Sequence, residues 1–331
     1  MELHKHGNSS LEVTPIGLGM AALGRPGYIN LGHAEDLAQN YEIEEMRRRS
    51  FDVLDLAYQE GIRYFDAARS YGRAESFLGS WLESRSLGDE VTVGSKWGYT
   101  YTANWQVKAE KHEVKEHSLE VLQRQWQETR QNLGDYLNLY QIHSATLKSG
   151  VLENREVLEE LHRLKTEYGI AIGFSASGEN QPQIIRKALE VEFDGALLFE
   201  SVQATWNILE PSAGEALKEA GDAGLGVIVK EALANGRLTD KNQNPQFAEK
   251  REKLKRFADM FGVSIDALAI GAARSQPWSS VILSGAARTD HLKSNMAAKE
   301  LRLDPTTLKE LEELKEHTEQ YWAARDALEW N

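Results

Sequence analysis

Four side chains suited to proton transfer stand at or near the ends of neighbouring apolar runs. Asp66, Lys96 and His143 each close or follow one of three successive runs, and Tyr71 stands in the segment after the first of them. In a parallel barrel the carboxyl ends of the strands and the loops that follow them form one face, where catalytic groups gather. We therefore expect these four side chains to meet at one site.

The four residue types together suit the protonation of a carbonyl oxygen. A free phenol has a pKa near ~10, so it is a poor base but a usable acid, and a neighbouring ammonium lowers that pKa. Lys96, itself held by Asp66, is expected to have this effect on Tyr71. A histidine on the same face can donate a second hydrogen bond to the carbonyl oxygen and fix the face that it presents to a reductant.

Each of these residues also has a purely structural explanation. An aspartate at a strand end often caps the next helix, and a buried tyrosine is usually packing. A lone histidine at a strand end commonly belongs to a structural hydrogen-bond network. It is the joint placement of the four on successive strand ends that favours chemistry.

The elements that must position these residues alternate between short apolar runs and longer amphipathic segments, about eight times along the chain. Such alternation gives a parallel sheet with right-handed crossovers, either a closed barrel or an open doubly wound sheet. The number of repeats favours an α/β fold, a (β/α)8 TIM barrel with an N-terminal hairpin and extra C-terminal helices. No linker divides residues 1–331, so a single barrel domain is expected.

The expected strands are Thr14–Leu18, Tyr64–Asp66, Val91–Ser95, Leu137–His143, Ala171–Ser175, Leu197–Gln203, Gly226–Lys230 and Val281–Ser284. The expected helices are Glu42–Glu60, Glu75–Ser84, Ser118–Leu133, Asn154–Glu167, Gln181–Leu189, Ala213–Gly221, Phe247–Phe261, Ser264–Ser275, Thr289–Lys299 and Pro305–Asp326. Two polar segments, Leu31–Asn40 and Tyr99–His117, are longer than most connections of this kind and are candidate lids. Four aromatic residues could line a substrate pocket or simply pack the second of these loops: Trp97, Tyr99, Tyr101 and Trp105.

A glycine-rich turn follows the first expected strand. Gly17–Ala22 fits the G-x-G-x-x-A pattern of an open dinucleotide-binding sheet, but that pattern requires a helix to begin on its glycines. The sequence Gly24–Gly27 breaks a helix instead. We expect a barrel turn that lets the backbone approach a ligand, with a Rossmann domain as the alternative.

Composition excludes several classes of partner. The 331 residues carry 38 Lys and Arg against 51 Asp and Glu, a net charge of −13 that would repel nucleic acid and anionic lipid. Cysteine is absent, and His112–His117 has one residue too many for the H-E-x-x-H zinc motif, so no metal is expected. The first ten residues lack the apolar core of a signal peptide and no run approaches a membrane span, so we expect a cytoplasmic protein. Nothing indicates an oligomeric state.

The segment Asp66–Gly79 resembles the aldo-keto reductase family, because it matches the signature D-x-A-x-x-Y-G-x-A-E-x-x-L-G at every fixed position. The family's lysine, in Val93–Lys96, and its histidine, in Leu139–His143, follow in the expected order. The similarity covers nearly the whole chain. It implies a (β/α)8 barrel that uses a nicotinamide cofactor, usually NADP(H), without a Rossmann domain.

Carried over residue by residue, the resemblance makes Tyr71 the general acid, tuned by Lys96 and Asp66, and makes His143 the group that orients the carbonyl. It places Ser175 and Gln203 at the nicotinamide carboxamide, Lys230–Leu238 around the pyrophosphate and Ser284–Asn295 at the adenosine phosphate. A helix that begins near Thr289 would aim N–H groups at a phosphate, and Arg288 offers a planar cation suited to a 2′-phosphate. The residues expected to contact the cofactor are Gly19, Met20, Asp66, Ser175, Gln203, Lys230, Leu233, Gly285, Arg288 and Asn295.

Two departures from the family pattern fall in the cofactor region. Ala176 stands where an asparagine commonly follows the serine, and Lys230 stands where the seventh strand commonly ends in an aromatic ring. Either Trp206 or an aliphatic side chain replaces that ring, or Lys230 lays its methylene stem across the nicotinamide or binds the pyrophosphate. Glu231 follows, and a carboxylate beside a pyrophosphate is electrostatically unfavourable.

Three functions fit these residues. The first is NADP(H)-dependent reduction of aldehydes, ketones or open-chain sugars to alcohols by hydride transfer, with Tyr71 as the acid. The second is oxidation of an aldose at its anomeric carbon by the same site in reverse. The third is a regulatory or sensor subunit that binds NADP(H), against which the retention of all four proposed catalytic residues argues. In each case the expected partner is a small carbonyl compound or sugar.

Overall fold

Eight parallel strands close into a barrel in the computed structural model, which describes all residues from Met1 to Asn331. Each strand pairs with its neighbour in the sequence, and the last strand closes onto the first with Ile282 beside Ile16. Strands β1–β8 are Ile16–Gly19, Tyr64–Asp66, Thr92–Trp97, Leu137–Ala145, Ala171–Ala176, Ser201–Thr205, Gly226–Lys230 and Val281–Ser284. The predicted (β/α)8 TIM barrel is confirmed.

Helices surround the barrel, and at least one follows each strand. Helices α1–α11 are Ile43–Gln59, Ala74–Arg85, Leu119–Leu133, Arg155–Tyr168, Gln181–Ala188, Gly214–Asp222, Ala248–Phe261, Ile265–Arg274, Thr289–Met296, Pro305–Glu312 and Thr318–Asp326. A single helical turn, His33–Asp36, precedes α1. Short 3₁₀ turns occupy Gly88–Glu90, Gly134–Tyr136, Leu147–Ser149, Val151–Glu153, Ala234–Gly236, Pro245–Phe247 and Ala297–Lys299. None of the helices combines the length and the apolar composition needed to cross a bilayer.

Side-chain caps fix where several of the outer helices begin. Ser118 accepts a hydrogen bond from the Val121 N–H at the start of α3, and Asp304 accepts from the second and third residues of α10. These caps satisfy N–H groups that have no partner inside the helix. Gly169 ends α4 in the left-handed conformation that glycine adopts without strain.

Three antiparallel hairpins stand outside the barrel. The predicted N-terminal hairpin is confirmed as His4–Lys5 paired with Glu12–Val13. Another lies within the long loop after β3, where Tyr99–Tyr101 pairs with Glu113–Lys115, so this candidate lid has its own regular structure. The third pairs two short strands ahead of β6: Glu192–Phe193 and Ala196–Leu197.

Two expected elements are corrected by the structure. The sixth strand begins at Ser201 and not at Leu197, because Leu197 pairs in the third hairpin. The expected helix Pro305–Asp326 is broken into α10 and α11. The break lies around Glu316, whose N–H donates to the Leu209 carbonyl at 2.8 Å and whose carboxylate binds two cations from neighbouring elements.

The largest apolar cluster lies between the barrel strands and the helices around them. Phe65 of β2, for example, packs its ring on Trp81 of α2 with 5.3 Å between the ring centroids. Burial of such large side chains stabilises the fold by roughly 1.5–3 kcal/mol each. The outward-facing residues of the strands are therefore used for packing, and polar groups at the carboxyl ends of the strands remain available for a site.

Candidate active site

A cavity with a volume of about 610 Å³ opens at the carboxyl ends of the strands. This volume lies in the range typical of sites for small molecules and cofactors. Polar side chains line much of it: Arg25, Tyr28, Asp36, Asp66, Tyr71, Tyr99, Glu113, His143, Ser177, Gln203, Lys230, Glu231, Asn235, Lys241, Ser284, His291, Asn295 and Arg325. Three of the four residues proposed to be catalytic are among them, and the fourth, Lys96, lies beneath the cavity floor.

Asp66 and Lys96 form an ion pair at the base of this cavity. Lys96 Nζ donates to Asp66 Oδ2 and, at 2.8 Å, to the Ala67 carbonyl oxygen. The other carboxylate oxygen of Asp66 accepts from Gln203 Nε2 at 3.0 Å and from the Tyr64 hydroxyl at 3.2 Å. Burial lowers the pKa of Lys96, and the Asp66 carboxylate acts against this shift. The pair positions an ammonium group without leaving its charge unmatched.

Tyr71 and His143 face each other above that pair. The Tyr71 hydroxyl lies 3.5 Å from His143 Nε2, and the two rings meet edge to face with 5.4 Å between centroids. Lys96 Nζ lies 5.0 Å from the centroid of the Tyr71 ring. The predicted convergence of the four side chains is therefore present, and a carbonyl oxygen placed between the hydroxyl and the imidazole could contact both.

The structure corrects the expected pKa of the phenol. Burial, followed by the nearby Tyr28 and Asp66, raises the pKa of Tyr71 well above its ordinary value of 10, although Arg25 acts in the opposite direction. Any lowering of this pKa by Lys96 is outweighed, because burial has the larger effect and the ammonium is already matched by Asp66. Tyr71 is thus a protonated donor at neutral pH.

His143 is a neutral imidazole for related reasons. Burial first, and then the positive charges of Lys96, Lys230 and Arg25, lower its pKa well below 6.5. A neutral imidazole carries one N–H, so it can donate one hydrogen bond without bringing a second cation into the site. His117 helps to fix this strand end, since its Nε2 lies 2.9 Å from the His143 carbonyl oxygen.

Lys230 ends β7 where the family pattern commonly has an aromatic ring. Its ammonium donates to the Ser177 and Thr205 hydroxyls, each at 2.8 Å, and burial lowers its pKa to about 8. Trp206 is not a substitute ring at the cavity, because it packs against Trp278 with 5.9 Å between centroids and does not line the cavity. One of the alternatives left open by the sequence is therefore wrong.

The charge of the neighbouring Glu231 is neutralised from the far end of the chain. Arg325 of α11 donates to Glu231 Oε1 through Nη2 at 2.7 Å and through Nε at 3.1 Å. Burial acts to raise the pKa of Glu231, but Arg325 and Lys230 together lower it to about 2. The expected electrostatic conflict between Glu231 and an anionic ligand is therefore largely removed.

The opposite end of the cavity is built from β8, the turn that follows it and α9. The Asn295 amide fits with its oxygen accepting from Ser284 Oγ at 2.8 Å and its nitrogen donating to Asp266 Oδ2 at 2.6 Å. No atom lies within 4 Å of the position where a Cβ on Gly285 would stand, so the backbone there is open to a ligand. The turn His33–Asp36 closes over this end, where Asp36 binds Lys241 of the loop after β7 and lies 3.7 Å from His291.

Seven of the ten residues expected to contact a cofactor line this cavity: Gly19, Asp66, Gln203, Lys230, Leu233, Gly285 and Asn295. Met20, Ser175 and Arg288 do not. Met20 is fully buried in the apolar core, and the Ser175 hydroxyl accepts from the Ser144 N–H at 2.8 Å. Arg288 is half exposed and forms a two-pronged ion pair with Asp290, with both N···O distances at 2.9 Å.

Only one of the four aromatic residues considered for a substrate pocket lines the cavity, and that residue is Tyr99. Trp97 is buried against His117 with 5.6 Å between ring centroids. Trp105 donates its indole N–H to the Tyr41 carbonyl at 2.6 Å. For these two residues the packing explanation is the correct one.

Five further residues that line the cavity were not identified from the sequence: Arg25, Tyr28, Glu113, Arg325 and Trp330. They come from the first loop, the hairpin loop and the C-terminal segment. The only signal for them is the unusual length of the loops and the aromatic residues near the end of the chain. No group of three or more His, Asp or Glu side chains is arranged to hold a metal ion.

Comparisons with known proteins indicate one family and agree with the observed fold. A family model described as "Aldo/keto reductase family" matches residues 15–316. The chain is 23% identical over 341 residues to "Uncharacterized oxidoreductase YqkF" of Bacillus subtilis, covering 97% of this chain and 97% of that protein. It is 24% identical over 296 residues to "Probable aryl-alcohol dehydrogenase AAD4" of Saccharomyces cerevisiae, covering 81% of this chain and 88% of that protein. In fold it is similar to the holo form of aldo-keto reductase AKR11C1 from Bacillus halodurans, with a TM-score of 0.73, 20% identity, and coverage of 96% and 97% of the two chains.

Proposed function

The chain belongs to the aldo/keto reductase family of oxidoreductases, and from that membership we propose that it uses NADP(H) to reduce aldehydes, ketones or open-chain sugars to alcohols. The observation that carries this proposal is the meeting of a protonated Tyr71 and a neutral His143 above the Lys96–Asp66 pair. A proton donor and a second hydrogen-bond donor then converge on one oxygen position.

The cavity fits a nicotinamide dinucleotide on chemical grounds. Gln203 and Asp66 stand at one end, beside the proposed acid, and the open backbone at Gly285 and the side chain of Asn295 stand at the other. The Lys230 ammonium, which also lines the cavity, offers a cation to an anionic pyrophosphate. A bound nicotinamide would supply the hydride, and the residues of this chain would bind and orient it and manage the proton.

In the proposed mechanism, the substrate's carbonyl oxygen binds between the Tyr71 hydroxyl and His143 Nε2. As the alcohol forms, the Tyr71 hydroxyl gives its proton to that oxygen. Lys96, 5.0 Å from the ring centroid, then stabilises the tyrosinate that remains. The raised pKa of Tyr71 suits reduction better than oxidation at neutral pH, because oxidation needs the deprotonated form of this group as a base.

Consumption of NADPH with a panel of aromatic and aliphatic aldehydes and aldoses tests this proposal. We expect steady-state turnover with part of the panel, and faster turnover with NADPH than with NADH. Binding of NADPH is measured in parallel by fluorescence. Tight binding without turnover of any carbonyl compound would contradict the reductase and favour the sensor function. Oxidation of aldoses with NADP⁺ in the absence of any reduction would favour the reverse reaction.

A further inference from the structure

Arg25 places a buried guanidinium beside the proposed acid. The side chain is 3% exposed, and its Nη1 donates to the Ser70 carbonyl at 2.9 Å and to Glu113 Oε2 at 2.8 Å. Ser70 directly precedes Tyr71, so Arg25 ties the first barrel loop to the loop that carries the acid. Neither Arg25 nor Glu113 has a role in the proton transfer described above.

Aromatic rings surround this guanidinium. Its central carbon lies 4.7 Å from the ring centroid of Trp330, 5.3 Å from that of Tyr28 and 5.5 Å from that of Tyr71. Stacking of this kind restricts a planar cation to one orientation. The close approach of the two loops reinforces the restriction, since a Cβ on Gly24 would stand 2.2 Å from the Tyr71 carbonyl oxygen.

The guanidinium keeps hydrogen-bonding capacity that the protein does not use. Only Nη1 has acceptors, whereas Nε is buried without a partner and Nη2 makes no hydrogen bond. An arginine has five N–H donors in a fixed plane, and a buried donor left without an acceptor is unfavourable. Arg25 also lines the cavity, so an acceptor on a bound substrate is within its reach.

We propose that Arg25 is a specificity-determining residue, which binds a neutral oxygen on the carbon next to the reacting carbonyl. The preferred substrates are then 2-hydroxy aldehydes and related carbonyl compounds with an oxygen at that carbon. This inference rests on the proposed reductase function and names the substrate class of the same site. Arg25 contacts the ring of Tyr71, and the Tyr71 hydroxyl binds the carbonyl oxygen of the substrate. We therefore infer that Arg25 reaches the carbon next to that carbonyl.

Charge favours a neutral oxygen over a carboxylate. Glu113 already matches the charge of Arg25 at 2.8 Å, so a substrate carboxylate would bring an unmatched negative charge next to Glu113. A hydroxyl can accept from the guanidinium without that repulsion. The same pair thus provides a donor for hydroxy aldehydes and discriminates against 2-oxo acids.

Glycolaldehyde and propanal test the proposal, because they differ by a hydroxyl and a methyl group of similar size. The measured quantity is the ratio of kcat/KM for glycolaldehyde to that for propanal, in wild type, Arg25→Met and Arg25→Lys. Hydration of each aldehyde is the same for every variant, so it does not affect the comparison of ratios. A general displacement of Tyr71 would lower kcat/KM for both aldehydes and would leave their ratio unchanged. Arg73→Met is the matched control, since Arg73 is an exposed arginine stacked on Trp105 at 5.7 Å.

We expect the ratio to fall about tenfold in Arg25→Met, as for loss of a hydrogen bond to a charged group, and less in Arg25→Lys. A fall below about threefold in Arg25→Met, or an equal fall in Arg73→Met, would overturn the assignment. If the wild type reduces propanal but the ratio does not respond to Arg25, only this inference fails. If the wild type reduces neither aldehyde but turns over other carbonyl compounds of the panel, this inference fails alone, and if it reduces no carbonyl compound the proposed function fails with it.

Glyoxylate distinguishes a neutral oxygen from a carboxylate. We expect the wild type to prefer glycolaldehyde to glyoxylate, and Glu113→Gln to shift that preference toward glyoxylate by about tenfold, because the repelling charge is gone. A wild-type enzyme that prefers glyoxylate, or a Glu113→Gln variant without any shift, would overturn the choice of a neutral oxygen.

Discussion

Lys96 donates a hydrogen bond to Asp66 inside the protein, where the two side chains are 0% and 2% exposed. Neither charge is stable at this depth without the other, because the desolvation of an isolated ion costs several kcal/mol. The pair is therefore a fixed element beneath Tyr71. It holds a cation ready for the negative charge that develops when the phenol loses its proton.

Replacing Tyr71 with phenylalanine tests the acid directly. We expect Tyr71→Phe to lower turnover by about 10²–10⁴-fold, because the hydroxyl acts only as the proton donor of the transition state. NADPH affinity should change little, as measured by fluorescence titration. Tyr168→Phe, at a residue 41% exposed on the outer surface, is the matched control and should keep full activity. If Tyr71→Phe retains more than about a tenth of wild-type turnover while chemistry limits the rate, another group is the acid.

Breaking the buried pair should separate stability from catalysis. Lys96→Met leaves the Asp66 carboxylate buried and unpaired, so we expect the free energy of unfolding to fall by about 3–5 kcal/mol along with activity. In the double variant Asp66→Asn, Lys96→Met, stability should largely return because no charge remains, whereas activity should stay low. Urea unfolding and NADPH consumption measure the two effects. Recovery of activity in the double variant would contradict the role of the ammonium.

Buried histidines should make the fold sensitive to mild acid. Burial lowers the pKa of His6 to about 3 and those of His33 and His117 to about 4, and it also lowers that of His143. Such a group takes up its proton more readily when unfolded, so its stabilisation is present above about pH 6.5 and is lost as the pH falls below that value. Each histidine should contribute about 1.4 kcal/mol per pH unit to the slope of unfolding free energy below about pH 6.

Urea unfolding between about pH 6.5 and pH 5, above the range in which free carboxylates titrate, measures this slope. Neither ring nitrogen of His33 has a hydrogen-bond partner, so His33→Phe removes the titrating group without breaking a hydrogen bond. We expect the free energy of unfolding of this variant to depend less steeply on pH, by the contribution of one histidine. An unchanged slope would show that His33 binds its proton equally in both states.

Strand-end chemistry is the part of the site that the sequence predicts well. Asp66, Lys96 and His143 reach one face because short apolar runs define the strands, and because parallel strands end on the same side of a barrel. The apolar runs are visible in short stretches of sequence, and the common direction of the strands follows from the fold class. The pKa of Tyr71 was predicted wrongly, because burial and the cancelling charge of Asp66 depend on the packed structure.

Residues from the loops and the chain end could not be predicted in this way. Arg325 binds Glu231 across 94 positions of sequence, and the final residue, Asn331, exchanges two backbone hydrogen bonds with Tyr28 of the first loop at 3.1 and 3.2 Å. Hydrophobic periodicity determines which face of a helix is buried, but it carries no information about which loop a polar side chain will reach. These contacts depend on the barrel, which brings together parts of the chain that are distant in sequence.

Substitutions at Arg288 should change the preference for NADPH over NADH. Its guanidinium is held by Asp290, so binding of a 2′-phosphate requires that this exposed pair opens. We expect Arg288→Ala to weaken NADPH by about tenfold more than NADH, since NADH lacks that phosphate. Asp290→Asn should strengthen the binding of NADPH, because it releases Arg288 from its ion pair with the carboxylate. Fluorescence titration with both cofactors measures this, and equal losses for the two in Arg288→Ala would reject the assignment.

The two possible roles of Lys230 predict opposite effects of one substitution on the affinity for NADPH. Two of the three ammonium donors bind Ser177 and Thr205, which leaves the third for a phosphate oxygen. If the lysine binds the pyrophosphate, Lys230→Tyr should weaken the binding of NADPH and make that binding less dependent on salt concentration. If it only stands in for a missing aromatic ring, the same change should tighten NADPH through a stack of about 0.5–1.5 kcal/mol.

The pH dependence of NADPH binding supplies an independent readout for Lys230. Burial lowers its pKa to about 8, and the charged form is the one that attracts an anion. For a phosphate-binding lysine, wild-type affinity should therefore fall as the pH rises through about 8, and Lys230→Met should lose this dependence. We favour the phosphate role, because Arg325 is already engaged by Glu231, whereas Lys230 lines the cavity and keeps one ammonium donor to spare. Titrations at low and high salt decide between the roles, and tighter binding in Lys230→Tyr would defeat our choice.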